Sequence, residues 1–424
     1  MKIKLGKDLI ECLSWSLYEN PLVLFREAIQ NSIDAFQETN EIWPNLCIDI
    51  KLDQQERSIC IQDNGPGLNS HEFTEVLGSM GESKKKDKNL AGCRGIGRLS
   101  GLGICDEIIF SSHSGSCLTT EICRINAKGI REGLKIRSKE TELSEFLSNY
   151  VQYFSEKTED SEKTFFSVKF VNVKRLASDL LLNPQSVGSY VSNIAPIQIE
   201  KTFDEFSCVE NFYKKFSLPY GLKIKLNGNT PLTKKFDDEK FLLNNKSLEY
   251  EEHILKNETG ETLGAIWLLH HEYLGALSAC SFRGLRFRHK NILIGNEDSF
   301  SSFFKEPRFN RWTIGEAHPI SSKIRPSVKR DDFEPNEDFN KFSYKIRPLL
   351  YSVAQRARKS SALRIEKKYK NQKDVLKPII LKIRRSVPKK IGSTLTRKKF
   401  LSYIEDVIIK SRGKPTPETF LSCL

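Results

Sequence analysis

No apolar run in this 424-residue chain approaches the roughly 18 residues that a membrane-spanning helix needs, so no membrane partner is expected. The ten cysteines include no CxxC pair, and the nearest two, Cys117 and Cys123, match no zinc-site spacing. They read as reduced, structural thiols. The histidines show no ligand spacing either; His270, His271 and His289 fall in strand-like stretches. Asp8 and Glu11 interrupt the first apolar stretch, which therefore does not read as a secretory signal, and a cytoplasmic location is expected. No internal repeat is visible, which excludes a solenoid or propeller. Acidic residues are scarce at one end only. From Lys345 onward 22 Lys and Arg face 5 Asp and Glu, a net +17, so the first 344 residues carry −4 of the chain's +13.

What remains is an ordinary globular composition, 38% hydrophobic and 29% charged, in a chain long enough for two or three domains. Residues 1–210 alternate helical and strand patterns and hold the glycine-rich stretches. Residues 211–345 open on the strand pattern GLKIKLNGN and continue through GAIWLLHHEYL, GLRFRHKNILIG and WTIGEAHPI. Residues 346–424 are Lys-rich, glycine-poor and helical in pattern.

Within the first segment, NPLVLFREAIQNSIDAFQE reads as a helix, with Asn20 as N-cap and Pro21 in the first turn. At about 100° per residue, Leu22, Phe25, Ile29, Ile33 and Phe36 share one narrow stripe, and Glu27, Asn31 and Asp34 gather opposite. Taken alone, that polar row is a solvated face. With partners it gains a chemistry. The Asn31 amide oxygen suits Mg²⁺, which takes oxygen ligands, and the Glu27 carboxylate suits a water that attacks a phosphate.

Those partners follow. Leu46, Ile48, Ile50 and Leu52 alternate with polar residues, as a half-buried strand requires, and a second strand, SICIQ, ends at Asp63-Asn64-Gly65-Pro66-Gly67-Leu68. DNGPG alone is a turn. Facing a cavity, Asp63 accepts a hydrogen bond from an exocyclic amine such as that of adenine, while Gly65 and Gly67 let backbone approach the ring. Seven of the chain's 24 glycines lie between Gly78 and Gly103. Their centre, Gly92-Cys93-Arg94-Gly95-Ile96-Gly97, opens a short helix before the strand ICDEIIFSS. Free N–H groups and a helix N-terminus form a cradle for phosphate. The preceding GESKKKDKN reads as a solvated lid.

In this order the motifs resemble the GHKL superfamily of ATPases, which includes the gyrase B subunit, MutL, sensor histidine kinases and the ninety-kilodalton heat-shock chaperones. FREAIQNSIDAF looks like the N box, IQDNGPGL like the adenine-site box and GCRGIGRLSGLG like the lid box. EKTFFSVKF looks like the strand with the family's Gly-Thr pair, with Lys163 in place of the glycine and Thr164 kept. The resemblance implies an α+β chain whose N-terminal Bergerat fold is a mixed sheet with helices on one face. It implies ATP and Mg²⁺ as ligands, Glu27 as general base, Asn31 as the Mg²⁺ ligand and Asp34 near the nucleotide. Asp63 would read adenine beside Gly65, Gly67 and Thr164, and Gly92, Arg94, Gly95, Ile96 and Gly97 would contact the phosphates.

With no phosphoacceptor-His segment ahead of these motifs, the histidine-kinase branch is disfavoured. LSWSLYENPLVLFREAIQNSIDAF resembles the start of the heat-shock chaperones. GLRFRHKNILIG and RFNRWTIGEAHPISSKIRPSVKRDDFE resemble their middle domain, a β-α-β unit whose loop arginine reaches the ATP. That arginine would be Arg330, with Lys329 as the alternative. The resemblance covers residues 1–345, and the chaperones' C-terminal dimerisation domain has no counterpart in the basic helical remainder. It implies a chaperone-like ATPase switch that closes a nucleotide-dependent homodimer around an unknown client, placed in a bacterial stress or defence system. The rival reading is a DNA-processing ATPase of the MutL or gyrase type. Its tail clusters Arg384-Arg385, Lys389-Lys390 and Arg397-Lys398-Lys399 would meet nucleic acid or an acidic protein, though with few aromatics for base stacking.

Overall fold

The alternation at residues 46–52 becomes strand β1 (Cys47–Asp53), whose Ile48 and Ile50 are fully buried while Lys51 and Asp53 face solvent. The computed structural model describes residues 20–37, 45–78, 100–115, 117–136, 142–158, 162–201, 204–236, 238, 241, 248–278 and 282–386. Helix α1 (Val23–Phe36) follows a turn in which the Asn20 side chain accepts from the Leu22 N–H at 3.0 Å. Asn20 thus caps that turn, and the helix proper starts at Val23.

The first lobe is a seven-stranded mixed sheet. Beside β1 lie β2 (Ser58–Asp63), β3 (Glu107–His113), β4 (Thr119–Ile125), β5 (Val151–Lys157), β6 (Phe165–Val171) and β7 (Lys223–Leu226), in the order β5-β4-β3-β6-β2-β1-β7. Helices α2 (Ser70–Gly78), α3 (Ala127–Lys135), α4 (Leu143–Ser148) and α5 (Pro184–Ile194) complete it. One row per strand is buried, and Ile50, Ile61 and Ile108 share a single core with Ile29 and Ile33 of α1 and Val187 and Val191 of α5. This mixed sheet bearing helices is the expected α+β architecture.

The chain does not pass from one lobe to the next at a single cut near residue 211. Helix α6 (Phe206–Lys215) turns Phe206, Val209, Phe212 and Tyr213 into a second core with Trp267, Leu269 and Ile314. The chain then returns. GLKIKLNGN, expected to open the second segment, supplies β7, which pairs parallel to β1 from Cys47↔Lys223 to Ile50↔Leu226. Ile224 and Leu226 need a buried face, and the open edge of β1 provides it.

The second sheet contains β8 (Glu249–Lys256), β9 (Thr262–His270), β10 (Gly284–His289), β11 (Ile292–Ile294) and β12 (Ile314–Pro319), in the order β11-β10-β12-β9-β8. Both faces of its central strands are covered. The α6 core lies on one, and Phe287 meets Phe300, Phe333 and Phe342 on the other. Parallel β10 and β12 are linked through β11 and the 3₁₀ turns Ser301–Phe303 and Pro307–Trp312. Phe342 belongs to helix α7 (Glu337–Ser386), which runs on into a separate compact unit of residues 272–275 and 352–424. Within that unit Arg364 donates to the Tyr273 carbonyl at 2.6 Å, and Ser360 donates to the Glu272 carbonyl. Arg384 and Arg385 lie in the final turn of α7; Lys389, Lys390, Arg397, Lys398 and Lys399 lie outside the described residues. Among the described residues no helix is long and apolar enough to cross a membrane.

Candidate functional site

The polar row of α1 is not a solvated face. Glu27 is 8% exposed and Asp34 1%, while Asn31 alone of the three is exposed. Both sides of the helix are therefore covered, its apolar stripe by the first sheet and part of its polar row by the second lobe. Two elements provide that cover. One is the hairpin between β10 and β11, a two-residue turn in which Lys290 and Asn291 both take positive φ, as the twist of a tight hairpin demands. It inserts Ile292 and Leu293 into the first core. Burial lowers the Lys290 ammonium's pKa, and the charge of Asp34 opposes that shift.

The other element is a tight loop at residues 326–333. Pro326 bridges Phe333, the Ser327 N–H donates to the Asp332 carbonyl at 2.8 Å, and the Arg330 N–H donates to the Ser327 carbonyl at 3.1 Å. Gly295, at the end of β11, donates to the Arg330 carbonyl at 2.8 Å and fixes the loop to the second sheet. Arg330 itself has φ +56°, a conformation non-glycine residues rarely adopt, so surrounding contacts must hold it. The loop delivers the Arg330 Nε to 3.4 Å from Glu27 Oε1. Arg26, which the sequence reading did not single out, approaches the same oxygen at 3.7 Å and donates from Nη2 to the Lys329 carbonyl at 3.0 Å. The Lys329 side chain is exposed, so the cation at Glu27 is Arg330. Tyr190 of α5 senses both neighbours: burial pushes its hydroxyl up to about 12, with smaller opposing effects from Arg26 and Glu27. His289 is pushed down to about 3, first by burial and then by Lys290 and Arg330.

Asp63 stands at the other end of the site. It continues the inward row of Ile59 and Ile61 and is 4% exposed. Ser32 of α1 donates to its Oδ2 at 2.6 Å and the Gly65 N–H to its Oδ1 at 2.9 Å. Burial raises the carboxyl's pKa, and these hydrogen bonds, with one from the Phe166 backbone, pull it part of the way back. Among the described residues no cation pairs with it. A buried carboxylate satisfied only by neutral donors keeps lone pairs for an amine. Register pairs Asp63 with Phe166, and Thr164 lies two residues before Phe166, just ahead of β6.

Gly65 and Gly67 are needed for different reasons. A Cβ on Gly65 would meet Asp63 Oδ1 at 2.8 Å and the Phe36 ring at 3.2 Å. Gly67 has φ +67°, and a Cβ there would stand 1.9 Å from the His113 carbonyl oxygen. The Leu68 N–H beyond it is anchored on Ser112 Oγ at 2.7 Å. Gly67→Ala is expected to cost about 2–5 kcal/mol in denaturant unfolding, from left-handed strain plus overpacking. Gly103→Ala, whose Cβ would meet nothing within 4 Å, is expected to stay within about 0.5 kcal/mol. Gly92, Arg94, Gly95, Ile96 and Gly97 lie outside the described residues.

The structure thus brings Arg330 to Glu27 on α1, buries Asp34 two turns further along the same helix, and places Asp63 at the end of β2, Gly65 and Gly67 in the turn after it and Thr164 just ahead of β6. Residues 22–159 match the family model for histidine kinase-, DNA gyrase B- and HSP90-like ATPases. Over those residues the chain is similar to a GHKL-type ATPase domain. Similar relatives are bacterial chaperone proteins HtpG. That of Acinetobacter baylyi is 32% identical over 127 residues, covering 25% of this chain and 20% of the relative. That of Sulfurovum sp. is 30% identical over 132 residues, covering 26% and 21%. That of Chlorobium phaeobacteroides is 32% identical over 131 residues, again covering 26% and 21%. The matched region is about a fifth of the relatives' length, and both Thr164 and Arg330 lie beyond residues 22–159. The contacts at Arg26, Ser32 and Tyr190 had no signal in the sequence, because each depends on which neighbour α1 meets.

Proposed function

We propose that this chain binds and hydrolyses ATP and uses the cycle as a chaperone-like conformational switch acting on a protein client. The observation that carries the reading is the reach of Arg330, from a loop on the second sheet, to Glu27 in the first lobe at 3.4 Å. In the GHKL-type domain, Asp63 accepts from the adenine amine, with Gly67 shaping the turn beside it and Thr164 just ahead of the neighbouring strand. Asp34 lies close by, and the stretch Gly92-Cys93-Arg94-Gly95-Ile96-Gly97 supplies N–H groups for the phosphates. Asn31, exposed one turn from Glu27, offers the hard oxygen that Mg²⁺ prefers. Bound there, the ion would neutralise charge on the phosphates. Glu27 accepts the proton of the attacking water. Arg330 exchanges its contact with the carboxylate for the terminal phosphate, so nucleotide and carboxylate compete for one guanidinium. Closure of a homodimer and a cytoplasmic site of action belong to the same reading.

The test is steady-state ATP turnover by the full chain, with and without Mg²⁺, beside Arg330→Ala. Turnover in the variant is expected to fall about tenfold to a hundredfold, the worth of one hydrogen bond to a charged group, with nucleotide affinity little changed. Turnover equal to that of the parent would remove the cross-lobe role of Arg330.

A further inference from the structure

Gln30 is the side chain on α1 that nothing so far explains. It is 1% exposed, yet neither its Oε1 nor its Nε2 has a hydrogen-bond partner among the described residues. Burying a carboxamide with both ends unsatisfied is costly, so stability does not account for it. Two other buried atoms share this state on the preceding turn, Arg26 Nε and Glu27 Oε1. Spacing makes these three residues neighbours. Gln30 follows Glu27 by three positions and Arg26 by four, the separations at which helical side chains meet. Around the axis Gln30 sits about 60° from Glu27, on the side toward Arg26. The loop at residues 326–333 covers that side: Arg26 donates to Lys329 and Arg330 pairs with Glu27.

Two acceptors and two donors, buried without hydrogen-bond partners at neighbouring positions of one helix, are the complement of a water molecule, which needs two to four such partners. We propose that Gln30 is a catalytic residue that shares the attacking water with Glu27. Its Oε1 accepts one hydrogen of the water while the Glu27 carboxylate accepts the other, which leaves an oxygen lone pair aimed at the phosphate. Carboxamides orient attacking water in other nucleotide hydrolases. In the step, the water oxygen forms the new bond to phosphorus and its proton passes to Glu27. The bond from phosphorus to the diphosphate oxygen breaks, and its electron pair stays on the leaving group. This inference rests on the hydrolytic reading above.

The experiment compares Gln30→Met, Gln30→Glu and Glu27→Gln in the full chain, measuring kcat, ATP affinity and thermal midpoint for each. Methionine fills the same volume without polar atoms, so its thermal midpoint is expected to equal or exceed the parent's. Its kcat is expected to fall on the order of tenfold to a hundredfold at unchanged ATP affinity. Gln30→Glu, which keeps an accepting oxygen, is expected within about threefold of the parent. A Gln30→Met kcat within twofold of the parent, while Glu27→Gln abolishes turnover, would overturn the inference and leave the hydrolytic reading standing. So would a Gln30→Glu variant as slow as Gln30→Met. If Glu27→Gln also turns over at the parental rate, the hydrolytic reading fails and takes the inference with it.

Discussion

Glu27→Gln is expected to lower ATP turnover about a hundredfold to ten-thousandfold, the usual worth of a general base, while ATP binding persists. The substitution preserves shape, so the packing of α1 between the first core and the second lobe is undisturbed. What it removes is the charge that faces Arg330 at 3.4 Å and Arg26 at 3.7 Å. A guanidinium held against the Glu27 carboxylate occupies the side from which an attacking water would approach it. In the proposed cycle the arrangement with Arg330 on Glu27 is the resting one. Turnover would then require the guanidinium to leave, with a phosphate as the natural competitor. The measurement is steady-state hydrolysis beside equilibrium binding of a fluorescent ATP analogue. A variant that binds the analogue and hydrolyses ATP at the parental rate would exclude Glu27 as the base.

How much of this site was legible before the structure depends on the kind of information each residue carries. Asp63 was legible because a period-two strand ending in Asp-Asn-Gly-Pro-Gly fixes both which face the carboxylate occupies and where the chain must turn. Gly67 was legible as a residue type. Its reason, a His113 carbonyl 1.9 Å from where a Cβ would stand, is a contact between distant parts of the chain. Glu27 and Asp34 were legible as one face of a helix, but not as buried. Periodicity reports which residues share a side, not what later covers it, and the cover comes from residues 289–292 and 326–333, some 260 to 300 positions on. The strands of both sheets were visible in their patterns, whereas the path between them was not. A strand such as GLKIKLNGN carries no mark of which sheet it joins. Only the unpaired edge of β1 decides that Lys223–Leu226 returns to the first lobe. For the same reason β10 read as a strand while the burial of its Arg286 and Arg288 went unseen, since charged residues on a strand ordinarily mark its wet face.

Arg288→Ala is expected to destabilise the two-lobed unit by about 3–5 kcal/mol, the cost of leaving a buried charge without its partner. Arg288 is fully buried in β10, and its Nε pairs with Glu316 of β12. Its remaining donors reach into the first lobe. Nη2 donates to the Asn193 carbonyl at 2.9 Å and Nη1 to the Ile194 carbonyl at 3.2 Å, satisfying the free carbonyls at the end of α5. Glu316 is held as the carboxylate, well below the usual range despite burial, chiefly by Arg288 and then by Lys234 and His318. Tyr213 Oη at 2.7 Å and Trp267 Nε1 at 3.3 Å also donate to it. Truncating the arginine removes the carboxylate's principal charge partner and leaves the α5 carbonyls without their donors. In a protein of this size the thermal midpoint should fall on the order of 10 °C. Adding Glu316→Gln to Arg288→Ala removes the stranded charge and should recover part of the loss, a coupling that a double-mutant cycle reads directly. If the single variant melts with the parent, the ion pair is not what joins the lobes. If it melts lower and Glu316→Gln restores nothing, the cost lies at the α5 carbonyls. Because α5 shares its core with α1, which carries Glu27, the ATP turnover of Arg288→Ala, measured well below its melting point, should fall as well. That would couple a structural ion pair in the second sheet to the chemistry on α1.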